Sequence, residues 1–220
     1  ETDLYLVSAV RAGPDGRVYL MDFNNHRLRV IDFDGRVRTV AGNGVHAGAM
    51  AGIPAVDSPL ENPVDFGFLS DGTIVFVSFH DPRVLAVGAD GVLTVVAGDG
   101  TAGDAGDGGP ALAAQFLELV GIAVAPDDSI FVADDLAHRV RVIRPSGLVE
   151  AYAGTGVPGY AGDGGPALSA LLRLPAGLAL DGAGNLYVAE AGNHVVRRVL
   201  LDGTIETFAG TGIRGSAGDG

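Results

Sequence analysis

The sequence contains no cysteine, no lysine and no tryptophan, and it lacks an apolar run of about 18 residues. Without cysteine, the chain can form neither disulfide bonds nor thiolate metal sites, and it has no thiol nucleophile. All 14 of its basic side chains are arginine, so Schiff-base chemistry on a lysine is excluded. The missing apolar run predicts that no helix of this sequence crosses a membrane.

Acidic residues outnumber basic ones. There are 27 Asp and Glu residues against 14 Arg, and the net charge is −13. This charge opposes binding to nucleic acids and to anionic membranes, because both are polyanions. We therefore expect no nucleic-acid partner and no membrane insertion.

Glycine-rich stretches recur along the chain with a constant period of 56 residues. They begin at residues 41, 97, 153 and 209, with the letters AGNG, AGDG, AGTG and AGTG. A period of this length indicates a repeat architecture. The repeat divides the chain into four units that cover about 1–56, 57–112, 113–168 and 169–220.

Each unit has the pattern of four short strands. In the third unit these are GIAVA, IFVADD, HRVRVI and LVEAYAG, and Gly, Pro, Asp and Asn turns separate them. A long loop with a small helical patch, such as PALSALLRL, then leads to the next unit. Four antiparallel strands per repeat are typical of a β-propeller blade, so we predict an all-β fold with four propeller blades.

The glycine-rich loops also contain the pattern G-x-G-x-x-G, which outlines a dinucleotide-binding turn. It is complete at 98–103, 154–159 and 210–215. A dinucleotide site also needs a long helix behind the glycines and an acidic residue about 20 positions later. The pattern recurs here without such a helix, so we interpret the glycines as tight turns between blades.

A carboxylate, a histidine and an arginine recur at the hairpin between the second and third strands. The three sets are Asp22, His26 and Arg29, then Asp134, His138 and Arg141, and finally Glu190, His194 and Arg197. Across a hairpin an opposite-charge pair contributes about 0.2–1 kcal/mol. Because three units carry the set, we interpret these residues as structural hairpin caps and not as a catalytic or zinc site.

The Asp-Gly loops offer hard oxygen ligands that calcium prefers, at Asp104, Asp107, Asp163 and Asp219. However, the calcium-loop spacing is absent, and turn chemistry explains AGDGG without a metal. The sequence also contains neither a G-x-S-x-G elbow nor H-E-x-x-H. We expect no catalytic residue, no metal and no cofactor, and calcium binding stays an open alternative.

Residues that break the repeat are the candidate ligand-binding residues. Gly121 occupies a small-residue position where the first strands crowd toward the propeller axis, and the second unit has Asp65 there. Arg11 breaks the next position on the same face. We predict that Arg11 and Asp65 meet beside the central channel, as an ion pair that plugs it or as a polar ligand-binding spot. Phe79 and His80 stand where the other units have a polar turn. We interpret them as sequence drift in a single unit or, alternatively, as an exposed recognition patch.

The phrases FNNHRLRV, AGNHVVRRV and AGDGGPALSALLRLPAGLALDGAGNLYVAE resemble NHL repeats, a β-propeller family named for an Asn-His-Leu signature. The inserts are similar to the long-repeat version in secreted bacterial proteins and teneurin propellers. The chain departs from the signature at Arg27, Arg139 and Val195 in place of Leu, at Ala137 in place of Asn, and at Asp81-Pro82-Arg83. The resemblance implies a six-bladed propeller with mostly binding functions and protein or carbohydrate partners. It also implies that a few relatives are lyases with metal-binding histidines.

The four units fall short of those six blades, and the sequence stops four residues before a complete fourth unit. Its start, ETDLYLV, lacks a signal-peptide pattern and is expected to be a mature or trimmed N-terminus. We expect a longer parent chain, a different closure or self-association through the terminal blades. The expected function is a non-enzymatic binding scaffold in an extracellular, periplasmic or bacterial cell-surface location. The alternatives are a structural unit of an extracellular assembly or filament, and a sensor or metal-dependent lyase domain of a longer chain.

Overall fold

The computed structural model describes residues 3–215, and it consists of four antiparallel sheets that follow one another along the chain. In each sheet four strands pair in sequence order, which is the meander expected of a propeller blade, and the last sheet has a short fifth strand at its edge. Equivalent strands of successive blades begin 56 residues apart, for example at Val7, Pro63, Leu119 and Pro175. This arrangement confirms the predicted all-β propeller fold.

The first two blades contain eight strands. Blade 1 consists of β1 (Val7–Ala12), β2 (Val18–Asp22), β3 (Arg27–Ile31) and β4 (Val37–Ala41). Blade 2 consists of β5 (Pro63–Phe68), β6 (Ile74–Ser78), β7 (Asp81–Val87) and β8 (Leu93–Ala97).

The last two blades repeat this order and add one short strand between them. Blade 3 consists of β9 (Leu119–Val124), β10 (Ile130–Asp134), β11 (Arg139–Ile143) and β12 (Val149–Ala153). After the short β13 (Gly165–Pro166), blade 4 consists of β14 (Pro175–Leu180), β15 (Leu186–Glu190), β16 (Val195–Val199) and β17 (Thr204–Ala209).

Helical structure is limited to single turns. Within residues 3–215 the helices are the 3-10 turns Phe23–Asn25, Ala55–Asp57, Ala111–Ala113 and Ala167–Ser169. The patch PALSALLRL therefore forms one turn, whose end at Ala170 returns to an extended backbone. None of the helices in this part of the chain is long and apolar enough to span a bilayer.

The hydrophobic core lies between consecutive blades, where the face of one sheet packs on the next. Met21 of blade 1 shares a buried cluster with Phe76 of blade 2, and Phe131 of blade 3 shares another with Leu186 of blade 4. The alternation of apolar residues within each strand supplies one such face to each neighbouring blade. Burial of these faces is the main favourable contribution to the stability of the four packed blades.

The first strand of each blade lies innermost, and adjacent inner strands contact one another in the order β1, β5, β9 and β14. The backbones of β9 and β14 approach each other closely at Gly121 of β9. A Cβ atom at this position would lie 1.8 Å from the carbonyl oxygen of Ala176 in β14. Glycine at position 121 is thus required by the close approach of β14, whereas a Cβ atom at the equivalent Gly177 would make only an ordinary contact of 3.6 Å with Ala189.

Three inserts of equal length connect the blades, at 42–62, 98–118 and 154–174. Each insert runs along the outermost strand of the following blade and pairs with it. The equivalent backbone bonds are donated by Gly52 to Leu93 (2.7 Å), by Gly108 to Val149 (2.7 Å) and by Gly164 to Ile205 (2.8 Å). The inserts therefore cover strand edges that would otherwise be open to pairing with other chains.

An arginine in the third strand of each following blade holds the insert from the other side. Its Nη2 donates a hydrogen bond to an insert carbonyl. The accepting carbonyls are spaced by the repeat, whereas Arg83 lies two residues before the position equivalent to Arg141 and Arg197. The pairs are Arg83 to Ala49 (2.9 Å), Arg141 to Ala105 (3.1 Å) and Arg197 to Ala161 (3.4 Å). We call this contact the arginine clasp.

The first and the last of the four blades each expose one sheet face, whereas the corresponding faces of the internal blades are buried against a neighbouring blade. Val10 of β1 is 60% exposed, whereas its equivalents Phe66, Ile122 and Leu178 are at most 6% exposed. At the other end, Phe208 of β17 is 55% exposed. A blade on either side would bury these residues in the way that the internal blades bury theirs.

The crowding at the axis predicts a strong effect of Gly121→Ala. Its new methyl group would force apart two inner strands, and overpacking of this kind costs about 1–3 kcal/mol. Urea unfolding measures the loss. Gly182→Ala is the matched control, because a Cβ atom there meets nothing within 4 Å. Equal stability of Gly121→Ala and the unmodified protein would contradict the observed approach of β9 to β14.

Candidate functional site

The inner strands of all four blades border a groove along the axis, which we call the axial groove. One cavity of about 320 Å³ is lined by residues of β1, β5, β9 and β14. A second of about 310 Å³ lies on the side of the inserts and includes Ser8, Asp65 and Gly177. Arg11 and Leu178 line both cavities, so they form the constriction between the two.

Arg11 and Asp65 form an ion pair at this constriction. Arg11 Nη2 lies 2.6 Å from Asp65 Oδ1, and its Nε donates a hydrogen bond to the carbonyl oxygen of Phe66. The guanidinium also lies over the Phe66 ring, at 5.8 Å from the centroid. The structure thus brings together the two charged residues that break the small-residue pattern.

The two members of this pair differ in how fully they are bonded. Asp65 accepts backbone amide bonds from Phe66 (2.9 Å) and Ile122 (3.1 Å), and the second of these ties β5 to β9. Burial raises the pKa of Asp65, and the Arg11 charge and the amide bonds oppose this rise. By contrast, the Arg11 side chain is 38% exposed, and its Nη1 forms no hydrogen bond to any residue of 3–215.

The carboxylates at the ends of the second strands hold the chain that enters each blade. Asp22 accepts a bond from the Tyr5 amide (2.8 Å), Asp134 from the Glu118 amide (3.0 Å), and Glu190 from the Arg173 amide (2.8 Å). Two of these acids also contact the arginine of their set, Asp22 with Arg29 at 3.1 Å and Glu190 with Arg197 at 3.4 Å. These contacts are compatible with the hairpin-cap interpretation, which stays a prediction.

The histidines serve the same hairpins through their backbone conformation. His26, His138 and His194 have φ values of 51°, 54° and 57°, in the left-handed region that tight turns require. His80 has φ 56° and occupies this place in blade 2, where the hairpin closes earlier along the chain. The second unit therefore keeps the histidine turn although its sequence signature is displaced.

Three histidines and one glutamate meet beside the first insert, and we call His26, His46, Glu61 and His80 the histidine–glutamate cluster. His46 Nε2 is hydrogen-bonded to Glu61 Oε1, and His80 Nδ1 lies 3.6 Å from the same oxygen. The rings of His26 and His46 stack, with centroids 4.6 Å apart and planes 5° apart. Phe79 packs edge-on against His80, at 4.9 Å between centroids.

Sequence reasoning missed His46 and Glu61, although both break the repeat. The positions equivalent to His46 are Ala102 and Pro158, and those equivalent to Glu61 are Leu117 and Arg173, which a comparison of phases would have revealed. What the sequence does not show is that they meet, because this depends on how the insert folds. The ligand-binding roles assigned to Arg11, Asp65, Phe79 and His80 stay predictions.

The aspartates of the glycine-rich loops lie against arginines of the following blade. Asp107 Oδ1 lies 2.7 Å from Arg141 Nε, and Asp163 Oδ1 lies 2.6 Å from Arg197 Nη2. Asp104 lies 3.4 Å from Arg139. In the described residues 3–215, no group of three or more His, Asp or Glu side chains is already arranged to hold a metal ion. Asp219, the fourth loop aspartate named above, lies outside the described residues.

No protein-family model matches the chain, so the resemblance to NHL repeats stays a prediction. A curated relative is the chloroplastic protein SUPPRESSOR OF QUENCHING 1 of Arabidopsis thaliana, which is 26% identical over 212 residues. The match covers 90% of this chain and 20% of the relative. This finding corrects the expected extracellular, periplasmic or bacterial cell-surface location, because the relative is a plant chloroplast protein.

Solved structures with the same fold include two enzymes. A streptogramin B lyase matches with a TM-score of 0.63 and 15% identity, over 92% of this chain and 54% of the lyase. A gluconolactonase from Xanthomonas campestris matches with a TM-score of 0.62 and 17% identity, over 93% of this chain and 62% of the enzyme. The chain thus spans between half and two thirds of these proteins.

These neighbours correct the expectation that the protein is not an enzyme. The expectation of a non-enzymatic protein rests on the repeated, structural character of its polar residues. The inference is wrong, because propellers of this shape include a lyase and a gluconolactonase. The predicted propeller fold is confirmed, and its structural neighbours include enzymes and a nutrient-binding protein. The suggested protein, carbohydrate or self-association partners stay predictions.

Asp134 is expected to titrate well above an ordinary aspartate. Burial raises its pKa from 3.8 to about 6, against the opposing effects of three amide bonds and the Arg141 charge. Between these two values the folded state binds more protons than the unfolded state, so ionisation favours unfolding. The contribution of Asp134 to stability is therefore fully present below a pH of 3.8 and is lost as the pH rises to about 6.

An NMR titration of the side-chain carboxyl carbon of Asp134 measures this pKa. Asp71 is the control, since the amide of Thr73 holds the pKa of this exposed residue below 3.8. A midpoint for Asp134 at or below that of Asp71 would show that the amide bonds outweigh burial.

Proposed function

We propose that this chain forms part of the propeller of a longer protein, and that the propeller binds a small anionic organic molecule in the axial groove. The observation that carries this proposal is the position of Arg11. Among the described residues that line the 320 Å³ cavity, Arg11 is the only charged one, and the others are apolar or glycine. A groove with one convergent charged group and apolar walls has the usual composition of a small-molecule site.

The bonding of the ion pair supports an anion as the ligand. Asp65 is occupied by Arg11 and by two backbone amides, so its role is to fix the guanidinium. Arg11 keeps Nη1 for a further partner, and a guanidinium binds carboxylates with well-defined geometry. The apolar side chains along the groove, such as Ile122 and Leu178, would contact the carbon skeleton of the ligand.

The uncovered end faces support the presence of further blades. Val10 is exposed where its equivalents are buried, and the chain spans 54% of the lyase and 62% of the gluconolactonase. We propose that the remaining blades complete both the faces and the axial groove. The enzymes among the neighbours support the further proposal that the full-length protein converts the molecule that Arg11 holds.

The test replaces Arg11 by glutamine and measures binding of citrate, D-gluconate and inorganic phosphate by calorimetry. The unmodified chain is expected to bind at least one of the two carboxylates. A hydrogen bond to a charged group contributes about 1.5–3 kcal/mol, so Arg11→Gln should weaken that binding by at least tenfold.

Arg36→Gln is the control, because it removes the same charge from a side chain that is 84% exposed in a turn of blade 1. It should leave binding unchanged. Binding that survives Arg11→Gln, or that Arg36→Gln weakens equally, would contradict the proposal. So would the absence of binding by either carboxylate at millimolar concentration.

A further inference from the structure

The histidine–glutamate cluster combines residues of the first two units, and three of its four members do not recur in the later units. The positions equivalent to His46 and Glu61 hold no histidine or carboxylate in the next two units, and His80 replaces Asn24, Leu136 and Gly192. The shared hairpin histidine, by contrast, recurs in the other blades as a turn residue. A structural need of the repeat would have placed the cluster in every unit, so its single occurrence indicates a specific role.

Two segments bring the donor atoms together. His46 and Glu61 lie near opposite ends of the first insert, and His80 lies in the turn between β6 and β7. His46 is backbone-paired with Leu60, the neighbour of Glu61, and His80 is fixed in the left-handed conformation. The backbone thus holds both histidines beside the carboxylate, while their side chains are 52% and 57% exposed and accessible to solvent.

We infer that His46, Glu61 and His80 bind a divalent transition-metal ion of the zinc type. Two imidazoles with one carboxylate suit zinc and its neighbours, whereas magnesium and calcium prefer all-oxygen sites. Three protein ligands leave a fourth tetrahedral position open to water or to a substrate. The site differs from the axial groove in its residues and does not use Arg11.

The distances fit a metal after one local change. Around a tetrahedral ion with bonds of about 2.0–2.1 Å, adjacent ligand atoms are about 3.3 Å apart. His80 Nδ1 and Glu61 Oε1 already lie 3.6 Å apart. His46 and Glu61 are closer than this because they share a hydrogen bond, so the described residues form no ready-made metal group. An ion must displace that proton, and a small shift of the exposed His46 side chain within the plane of its ring then opens the distance.

His26 contributes by stacking on His46. The two rings lie parallel, with centroids 4.6 Å apart. His26 Nδ1 is buried and has no hydrogen-bond partner among the described residues. The parallel contact restricts the plane of the His46 ring, and this restriction favours one direction for the ligand nitrogen.

Cobalt(II) is the probe for this site, because tetrahedral coordination by nitrogen and oxygen gives a visible d–d absorption band. Titration of the whole chain is expected to show one site, and zinc should displace the cobalt. His46→Ala and His80→Asn should each weaken cobalt binding by at least about tenfold, since even changes around a metal site cost that much. Asparagine is used at His80 because it tolerates the left-handed backbone.

His194→Asn is the matched control, since His194 has the same left-handed conformation in blade 4 and lies outside the cluster. Arg11→Gln is the second control and should retain the cobalt band, which separates this site from the proposed anion site. Circular dichroism checks that each variant is folded. An absent band in the unmodified chain would overturn the assignment. So would equal affinities of the cluster variants and the unmodified chain, or an equal loss in His194→Asn.

Discussion

The arginine clasp is the contact on which the arrangement of the blades depends. A propeller blade buries its two faces only if its neighbours stay in register, and the inserts are the chain segments that carry one blade to the next. Each insert pairs with the outer strand of the following blade, and an arginine of that blade holds an insert carbonyl. In blades 3 and 4 this arginine is almost fully buried. Loss of its partners would leave an uncompensated charge in the interior, which is strongly destabilising.

A repeated scaffold of this kind makes departures from the repeat informative. Glycine and alanine at the axis, apolar faces between blades and the clasp recur because every blade needs them. Arg11 and Asp65 meet none of these needs, and neither do His46 and Glu61. Arg11 and Asp65 occupy positions where the other units have glycine or alanine, and the positions of His46 and Glu61 hold no histidine or carboxylate in the next two units. Both candidate sites therefore follow from one criterion, which is a polar residue at a position where the repeat does not require it.

Much of the fold follows from local sequence. The period, the turn residues and the alternating strands predict four blades, and the phase of Arg11 and Asp65 predicts that they meet at the axis. The path of the inserts cannot be predicted from the sequence, because glycine-rich loops carry no apolar pattern that indicates which strand edge they cover. The contact of His46 with Glu61 depends on that path. The turn role of His80 was also missed, because the hairpin of blade 2 closes earlier than its period indicates.

A double-mutant cycle across the third insert tests whether Arg197, the clasp arginine of blade 4, fastens the insert. Asp163 of the insert and the fully buried Arg197 of blade 4 lie 2.6 Å apart. The measurement compares the unfolding free energies of Asp163→Asn, Arg197→Met and the double variant with that of the unmodified protein. If the insert fastens blade 4 through this pair, the two changes are non-additive, with a coupling energy of about 1–3 kcal/mol. Additivity within about 0.5 kcal/mol would contradict the account, since the blades would then be held by their apolar faces alone.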